Sequence, residues 1–355
     1  MYQPASEGPN SGVLVIQDEE SRPTCCFGSC YESALKGLPF PQNAKLTMKY
    51  TITVIKDLPM VFSDRVIFIP VLDQPLSSNR YYVIKRSGKH SGEASANAKK
   101  EDRVPCCFCF TRLPEAKPQQ ANPYDVCQQF EIHQSKSWDR GYFATSVAPG
   151  GKPPKLERRV LDIPDYGLRD DAKGIQAQLR SELPSDLNTN VLVGKWYVPF
   201  IFVKEGNVKV QLKSSTYYNM TLHQKWEEVY SCENADKENR EVVVNMEVEP
   251  EVVKIEGQET IRVDENGVVW FGVANKSVAL RSVVTARMKW EEERFGWKSR
   301  AVVKRSDKFD GSGSNWKSYK CYVLVESFVL RRMDETVVLT FEFKHADKLK
   351  SKWES

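Results

Sequence analysis

The word Thr221–Glu228, TLHQKWEE, returns later in the chain as Thr285–Glu292, TARMKWEE. In the second copy the even positions read Val278, Leu280, Ser282, Val284, Ala286, Met288 and Trp290, while the odd ones include Arg281, Thr285, Arg287 and Lys289. A period of two describes a strand with one wet face. A helix through Leu280, Val284, Arg287 and Glu291 would bury charge, so the spacing predicts a strand. The first copy alternates in the same way through Tyr218, Met220, Leu222 and Trp226. Each copy is followed by a related apolar word, Val248-Glu249-x-x-Val252-Val253-Lys254 and Val325-Glu326-x-x-Val329-Leu330-Arg331, and preceded by an aromatic one, VPFIFV at 198–203 and VVWFGV at 268–273. Three blocks in one order predict a duplicated unit. Trp226 and Trp290 are then expected as equivalent anchors of a sheet face, with Glu228 and Glu292 at strand ends in solvent. The competing reading makes the Trp-Glu-Glu carboxylates an acid/base pair, which requires Glu227 or Glu228 to approach Glu291 or Glu292 in one cleft.

A chain of 355 residues is long enough for about two domains. Its 41% hydrophobic and 28% charged residues describe a globular protein. The formal net charge is only +4, with bases and acids interleaved, so no nucleic-acid partner is expected. No apolar run is long enough to span a bilayer as a helix, and the polar start lacks a signal-peptide core. A soluble, cytoplasmic protein is expected, and nine cysteines are then read mainly as free thiols.

Taken in order, residues 1–12 read as a flexible N-terminus and 13–155 as an N-terminal β domain with two cysteine clusters, Cys25-Cys26-Phe27-Gly28-Ser29-Cys30 and Cys106-Cys107-Phe108-Cys109. The alternation Leu46, Met48, Tyr50, Ile52, Val54 predicts a strand, and VIFIPVL at 66–72 another. Short words echo one another within this domain: YYVI at 81–84 echoes VLVI at 13–16, and QQFEI at 128–132 stands where KYTI stands at 49–52. Ser87–Asp102 reads as an exposed, mobile loop. The breakers of APGGKPP at 148–154 close the domain. Residues 156–190 follow as a linker with one helix, capped at Asp170 or Asp171, carrying Ile175, Leu179 and Leu183, and stopped by Pro184. Residues 191–345 form the duplicated C-terminal β domain, ending in a hairpin of about Tyr319–Leu330 with Val337–Phe343, and 346–355 a charged tail.

No nucleophile elbow, Gly-rich phosphate loop or zinc-protease motif is present, and His90, His133, His223 and His345 have no ligand spacing. No catalytic, cofactor-binding or metal residue is assigned, and no cofactor is expected. Adjacent cysteines point to opposite faces of an extended chain, which argues against zinc. Exposed Cys-Cys-Phe words also suit S-acylation, so Cys25, Cys26, Cys106 and Cys107 are candidate lipidation sites for a peripheral membrane protein.

Several long words resemble a plant-specific family classed as domain of unknown function 1262: EGPNSGVLVIQDEE at 7–20, LPFPQN at 38–43, GKHSGEA at 88–94, CCFCF at 106–110, SVAPGGKPP at 146–154, GKWYVPFIFVKEG at 194–206, MTLHQKWEEVYSCEN at 220–234 and MKWEEERFGW at 288–297. The resemblance implies a plant source and transfers no reaction, ligand or catalytic residue. Similar proteins carry a longer segment ahead of EGPNSG, so it also implies a shortened start. The expected fold is mainly β: two tandem antiparallel β-sandwich-like domains with internal duplication and a short helical linker. The expected function is non-enzymatic binding or scaffolding, with the partner unassigned and a protein one of the options; the alternatives are the acylated membrane protein and an enzyme using the paired glutamates.

Overall fold

The computed structural model describes residues 24–25, 30–31, 38–40, 45–54, 58–71, 74–106, 110–112, 114, 116–134, 142–151, 153, 160–162, 174–234, 240–310 and 316–354. The fold is mainly β and its sheets are antiparallel, as the alternation predicts. The chain divides into two compact units, residues 1–171 with 198–217 and residues 172–197 with 218–355.

In the first unit β1 (Lys45–Val54), β2 (Leu58–Pro70), β3 (Arg80–Lys85), β4 (Gln129–Gln134), β5 (Tyr142–Ser146) and β6 (Val160–Asp162) lie in the spatial order β5-β4-β3-β2-β1-β6. Residues two apart share a face, so Val66 and Phe68, Tyr81 and Val83, and Phe130 and Ile132 pack with Phe40 and Tyr142 into one core. Each such side chain contributes about 1.5–3 kcal/mol on burial. The Phe40 backbone N–H donates to the Tyr81 hydroxyl at 2.9 Å, so the buried phenol is satisfied.

The segment expected as an exposed loop, Ser87–Asp102, is exposed at its ends but buried in its middle. Ala94, Ser95, Ala96, Asn97 and Ala98 are buried. Small side chains let this backbone lie close to β3 and β4: the Ser95 N–H donates to Val83 O, and the Asn97 N–H and Nδ2 both donate to Cys127 O. In the echo of short words, KYTI falls in β1 and QQFEI spans the start of β4, two strands that do not pair with each other. VLVI at 13–16 lies outside the described residues, as do Cys26 and Cys107. The backbones of Cys25 and Cys106 lie in short strands, Thr24–Cys25 and Val104–Cys106.

The second unit is built on three long strands. β7 (Val191–Pro199), β8 (Tyr217–Glu233), β9 (Glu241–Val248), β10 (Glu251–Ile255), β11 (Ile261–Glu265), β12 (Val268–Val273), β13 (Lys276–Arg281), β14 (Ala301–Lys308), β15 (Ser318–Arg331) and β16 (Val337–Glu354) follow in the chain. The main sheet runs β7-β8-β15-β16-β10, extended at its ends by residues 174–175 and 258–259. The expected hairpin is β15 with β16, but the segment read as a charged tail continues β16 to Glu354. At that end Trp353 packs on Trp316 and Tyr319, with ring centroids 4.9 and 4.6 Å apart. β9 and β14 pair and lay Val242, Val244 and Val303 against the same cluster.

The predicted linker helix is short: α1 spans Ala177–Glu182, and Gly174–Ile175 pair with β7 instead of continuing it. Asp170 and Asp171 lie outside the described residues. A second short helix, α2 (Val208–Ser214), belongs to the first unit. The largest departure is α3, Ser282–Arg294, which replaces most of the strand expected over 278–290. Trp226 lies in β8 and Trp290 in α3, so the repeated word adopts two different structures. α3 ends where Gly296 takes φ +105°: the Gly296 N–H donates to Glu293 O and the Trp297 N–H to Glu292 O, a Schellman closure that a helix can use and a strand cannot. The second repeated block is alike only in part: Val248 ends β9 and Val252–Lys254 lie in β10, whereas Val325–Arg331 lie within the single strand β15.

Candidate functional site

Pairing register brings polar side chains together on the inner face of the main sheet. Gln224 of β8 stands opposite Glu326 of β15, which stands opposite Phe343 of β16; His345 follows two residues along that face. Their neighbours Leu222, Leu324, Phe328, Phe341 and Phe343 are buried and apolar. Arg180 reaches the cluster from α1, and Glu292 from α3.

The contacts are tight. Arg180 Nε donates to Glu326 Oε1 at 2.9 Å and its Nη2 to Glu326 Oε2 at 2.5 Å, a two-pronged clamp, while Nη2 also reaches Glu292 Oε1 at 3.0 Å. His345 Nε2 lies 2.8 Å from Glu292 Oε2 and 3.5 Å from Glu326 Oε2. Gln224 Nε2 donates to Glu326 Oε1 at 2.8 Å and to the Arg180 carbonyl at 2.9 Å. The Phe295 ring lies against Arg180, 4.2 Å from Cζ to its centroid, and makes an edge contact with His345. The side chains of Glu292, Glu326 and His345 are 0% exposed, so this constellation is sealed.

Burial in low dielectric, reinforced by the neighbouring Glu326 charge, pushes the Glu292 carboxyl up to about 8. For Glu326 burial pulls the other way, but the hydrogen bonds from His345 and Arg180 win and hold it far below the usual carboxylate range. Burial likewise opposes charge on His345, and the hydrogen bonds to Glu292 and Glu326 outweigh it and raise the imidazole. Glu292 and His345 are thus both biased toward their protonated forms, and Arg180 balances Glu326. The mutual contacts of Arg180, Glu292, Glu326 and His345 are what permit four ionisable side chains to share an apolar setting.

Glu292, Glu326 and His345 also present one donor atom each within 4.8 Å of one another, a spacing a metal ion accepts. The donors themselves argue against one: the Arg180 guanidinium already occupies both Glu326 oxygens and one of Glu292, so a dication would sit beside a fixed positive charge.

The residues singled out in the sequence meet different fates. Glu228 pairs with Lys320 at 3.4 Å and is 40% exposed, whereas Glu292 is buried in the ionic cluster. Glu227 binds Lys344 at 2.6 Å on the opposite sheet face, where Lys225 and Lys254 also hold Glu342. Glu291 pairs with Arg287 within α3 at 2.7 Å. The four repeated glutamates therefore take separate partners. Trp226 is buried and donates from Nε1 to Pro184 O at 2.9 Å, which pins the chain after α1 to β8. Trp290 is half-buried between the guanidiniums of Arg287 and Arg294, each 4.4 Å from its ring. Replacing Glu228 by alanine should change unfolding free energy by less than about 0.5 kcal/mol in urea titration, because an exposed pair contributes little. Arg180, Gln224, Glu326 and His345 were not singled out together in the sequence, since their separations follow no motif.

Comparison with known proteins adds the following. Residues 7–108 match the family model described as a protein of unknown function (DUF1262). The resemblance drawn from the sequence words is borne out over that stretch. No curated protein matches the chain. Among solved structures, the crystal structure of Cry35Ab1 is similar at a TM-score of 0.45 and 10% identity, covering 88% of this chain and 90% of that one. Among the described residues no helix is long and apolar enough to cross a membrane.

Proposed function

We propose that this protein acts by holding a partner rather than by turning over a substrate. The observation that carries this reading is the sealing of the Arg180, Glu292, Glu326 and His345 cluster: its two carboxylates and imidazole have the residue types of an acid/base site, yet their side chains expose no surface to a reactant. A general acid or base must come within hydrogen-bond reach of the proton it moves. The two carboxylates are fully enclosed and held by Arg180, Gln224 and His345, an arrangement that serves the fold, although His345 Nδ1 and Gln224 Oε1 find no hydrogen-bond partner among the described residues. The surface supports the same reading, because β11 exposes apolar side chains on an ordered strand.

The test is access. Diethyl pyrocarbonate followed by peptide mapping should modify His90 and His133, which are about a third exposed, long before His345. Rapid modification of His345 in the folded protein would contradict the proposal, as would turnover in a hydrolase and transferase panel that Glu292→Gln abolishes.

A further inference from the structure

β11, Ile261–Glu265, is the outermost strand of its sheet: among the described residues it pairs with β12 on one side and with nothing on the other. All five residues are exposed, Ile261 at 77% and Val263 at 55%. A strand edge of this kind offers a row of unpaired N–H and C=O groups to another strand. Its sequence, Ile-Arg-Val-Asp-Glu, decides which strand fits.

Residues directly opposite each other in an antiparallel pair share a face, so the register between two copies of β11 must centre on a residue. Centring on Arg262 sets guanidinium against guanidinium, and centring on Asp264 sets carboxylate against carboxylate. Centring on Val263 places Arg262 of each copy opposite Asp264 of the other, with the two Val263 side chains in contact and the Ile261 side chains flanking them on the second face. Opposite charges directly across a pair stabilise it and like charges destabilise it. Only one central register is therefore electrostatically self-complementary, and in it the two Val263 side chains meet while Ile261 of each copy stands opposite Glu265 of the other. Arg262 already binds Asp264 at 3.1 Å and Glu251 at 3.0 Å within the chain, so pairing of two copies exchanges intrachain for interchain contacts of the same kind.

We infer that β11 is a self-association edge, through which two copies of this chain pair in antiparallel register about Val263. The surface is independent of the ionic cluster and stands whether or not that cluster is catalytic. Five residues per strand make a small contact, in the weak and reversible class, which sets the dissociation constant between about 1 μM and 1 mM.

Sedimentation equilibrium of the full chain over a concentration series tests this, using charge reversals at exposed positions. Wild type should show a monomer–dimer equilibrium that weakens with salt. Arg262→Asp and Asp264→Arg should each weaken it at least about tenfold, because each sets like charges opposite in both halves of the contact. The double variant R262D/D264R should recover the wild-type constant. A mixture of the two single variants should form a mixed dimer that neither forms alone. A wild-type chain that stays monomeric up to about 500 μM would overturn the inference, leaving the edge to a strand from another protein or to none. So would a dimer that R262D leaves intact, or a mixture of the single variants that fails to pair.

Discussion

Arg180→Met should lower the unfolding free energy of the second unit by about 3–5 kcal/mol, among the largest losses a single substitution can cause. The substitution keeps most of the side-chain volume, so little of the loss comes from packing. What it removes is the cation that binds Glu326 through two nitrogens and Glu292 through one. Two carboxylates are then left in a compartment that exposes neither, facing a single imidazole. Urea unfolding monitored by tryptophan fluorescence measures the effect, because Trp226 is tied to the chain just after α1. Arg180→Lys should recover only part of the loss, since an ammonium cannot reproduce the fork.

The second large effect is on pH dependence. Glu292 and His345 are both raised in the folded state, so their protonation stabilises the fold fully below their unfolded values, and the contribution of Glu292 is lost as pH climbs toward about 8. Glu326 is depressed, so its contribution is present above the ordinary carboxylate range and is lost as pH falls from that range toward its depressed folded value. Stability should pass through a maximum in mildly acidic solution and decline on the alkaline side with a slope of up to about 1.4 kcal/mol per pH unit for one proton. Glu292→Gln should flatten that alkaline limb while leaving the acid limb in place. An alkaline limb unchanged in Glu292→Gln would assign the proton to another group.

Much of the fold is legible in the sequence because alternation is a local property. β1 and β8 show the two-residue period, β2 carries the apolar run VIFIP, and β15 with the start of β16 forms the expected hairpin; each is a strand. α3 was misread for a physical reason. Its helical stripe, Val284, Met288, Glu291 and Glu292 with Arg287, is buried, and burying those charges looks prohibitive when the chain is read alone. It becomes tolerable because Arg287 pairs with Glu291 one turn away, and Glu292 meets Arg180 and His345, which no local pattern announces. The helix-forming run ARMKWEEER and the glycine at 296 were the available signals.

The ionic cluster was illegible for the same reason. Arg180 sits in a six-residue helix, Gln224 and Glu326 in strands brought into register across the sheet, and His345 just beyond Phe343, where the expected hairpin strand ends. Each taken alone is an ordinary polar residue. The tail misled because its lysines alternate with Leu349 and Trp353, and the two apolar side chains pack against the cluster around Tyr319. The repeated Trp-Glu-Glu had the opposite fault, a strong local signal with no common structure behind it: Lys320 meets Glu228 at the surface, and the core meets Glu292.

The most direct test of the central claim, that Arg180 and Glu326 matter as a compensated pair enclosed in the core, is a double-mutant cycle of Arg180→Met and Glu326→Leu measured by urea unfolding. With both charges gone, Glu292 keeps His345 and no uncompensated ion remains, so the double variant should lose far less stability than the sum of the single losses, with a coupling above about 2 kcal/mol. Losses that simply add would mean that the two side chains act independently, and would contradict a sealed, charge-balanced core.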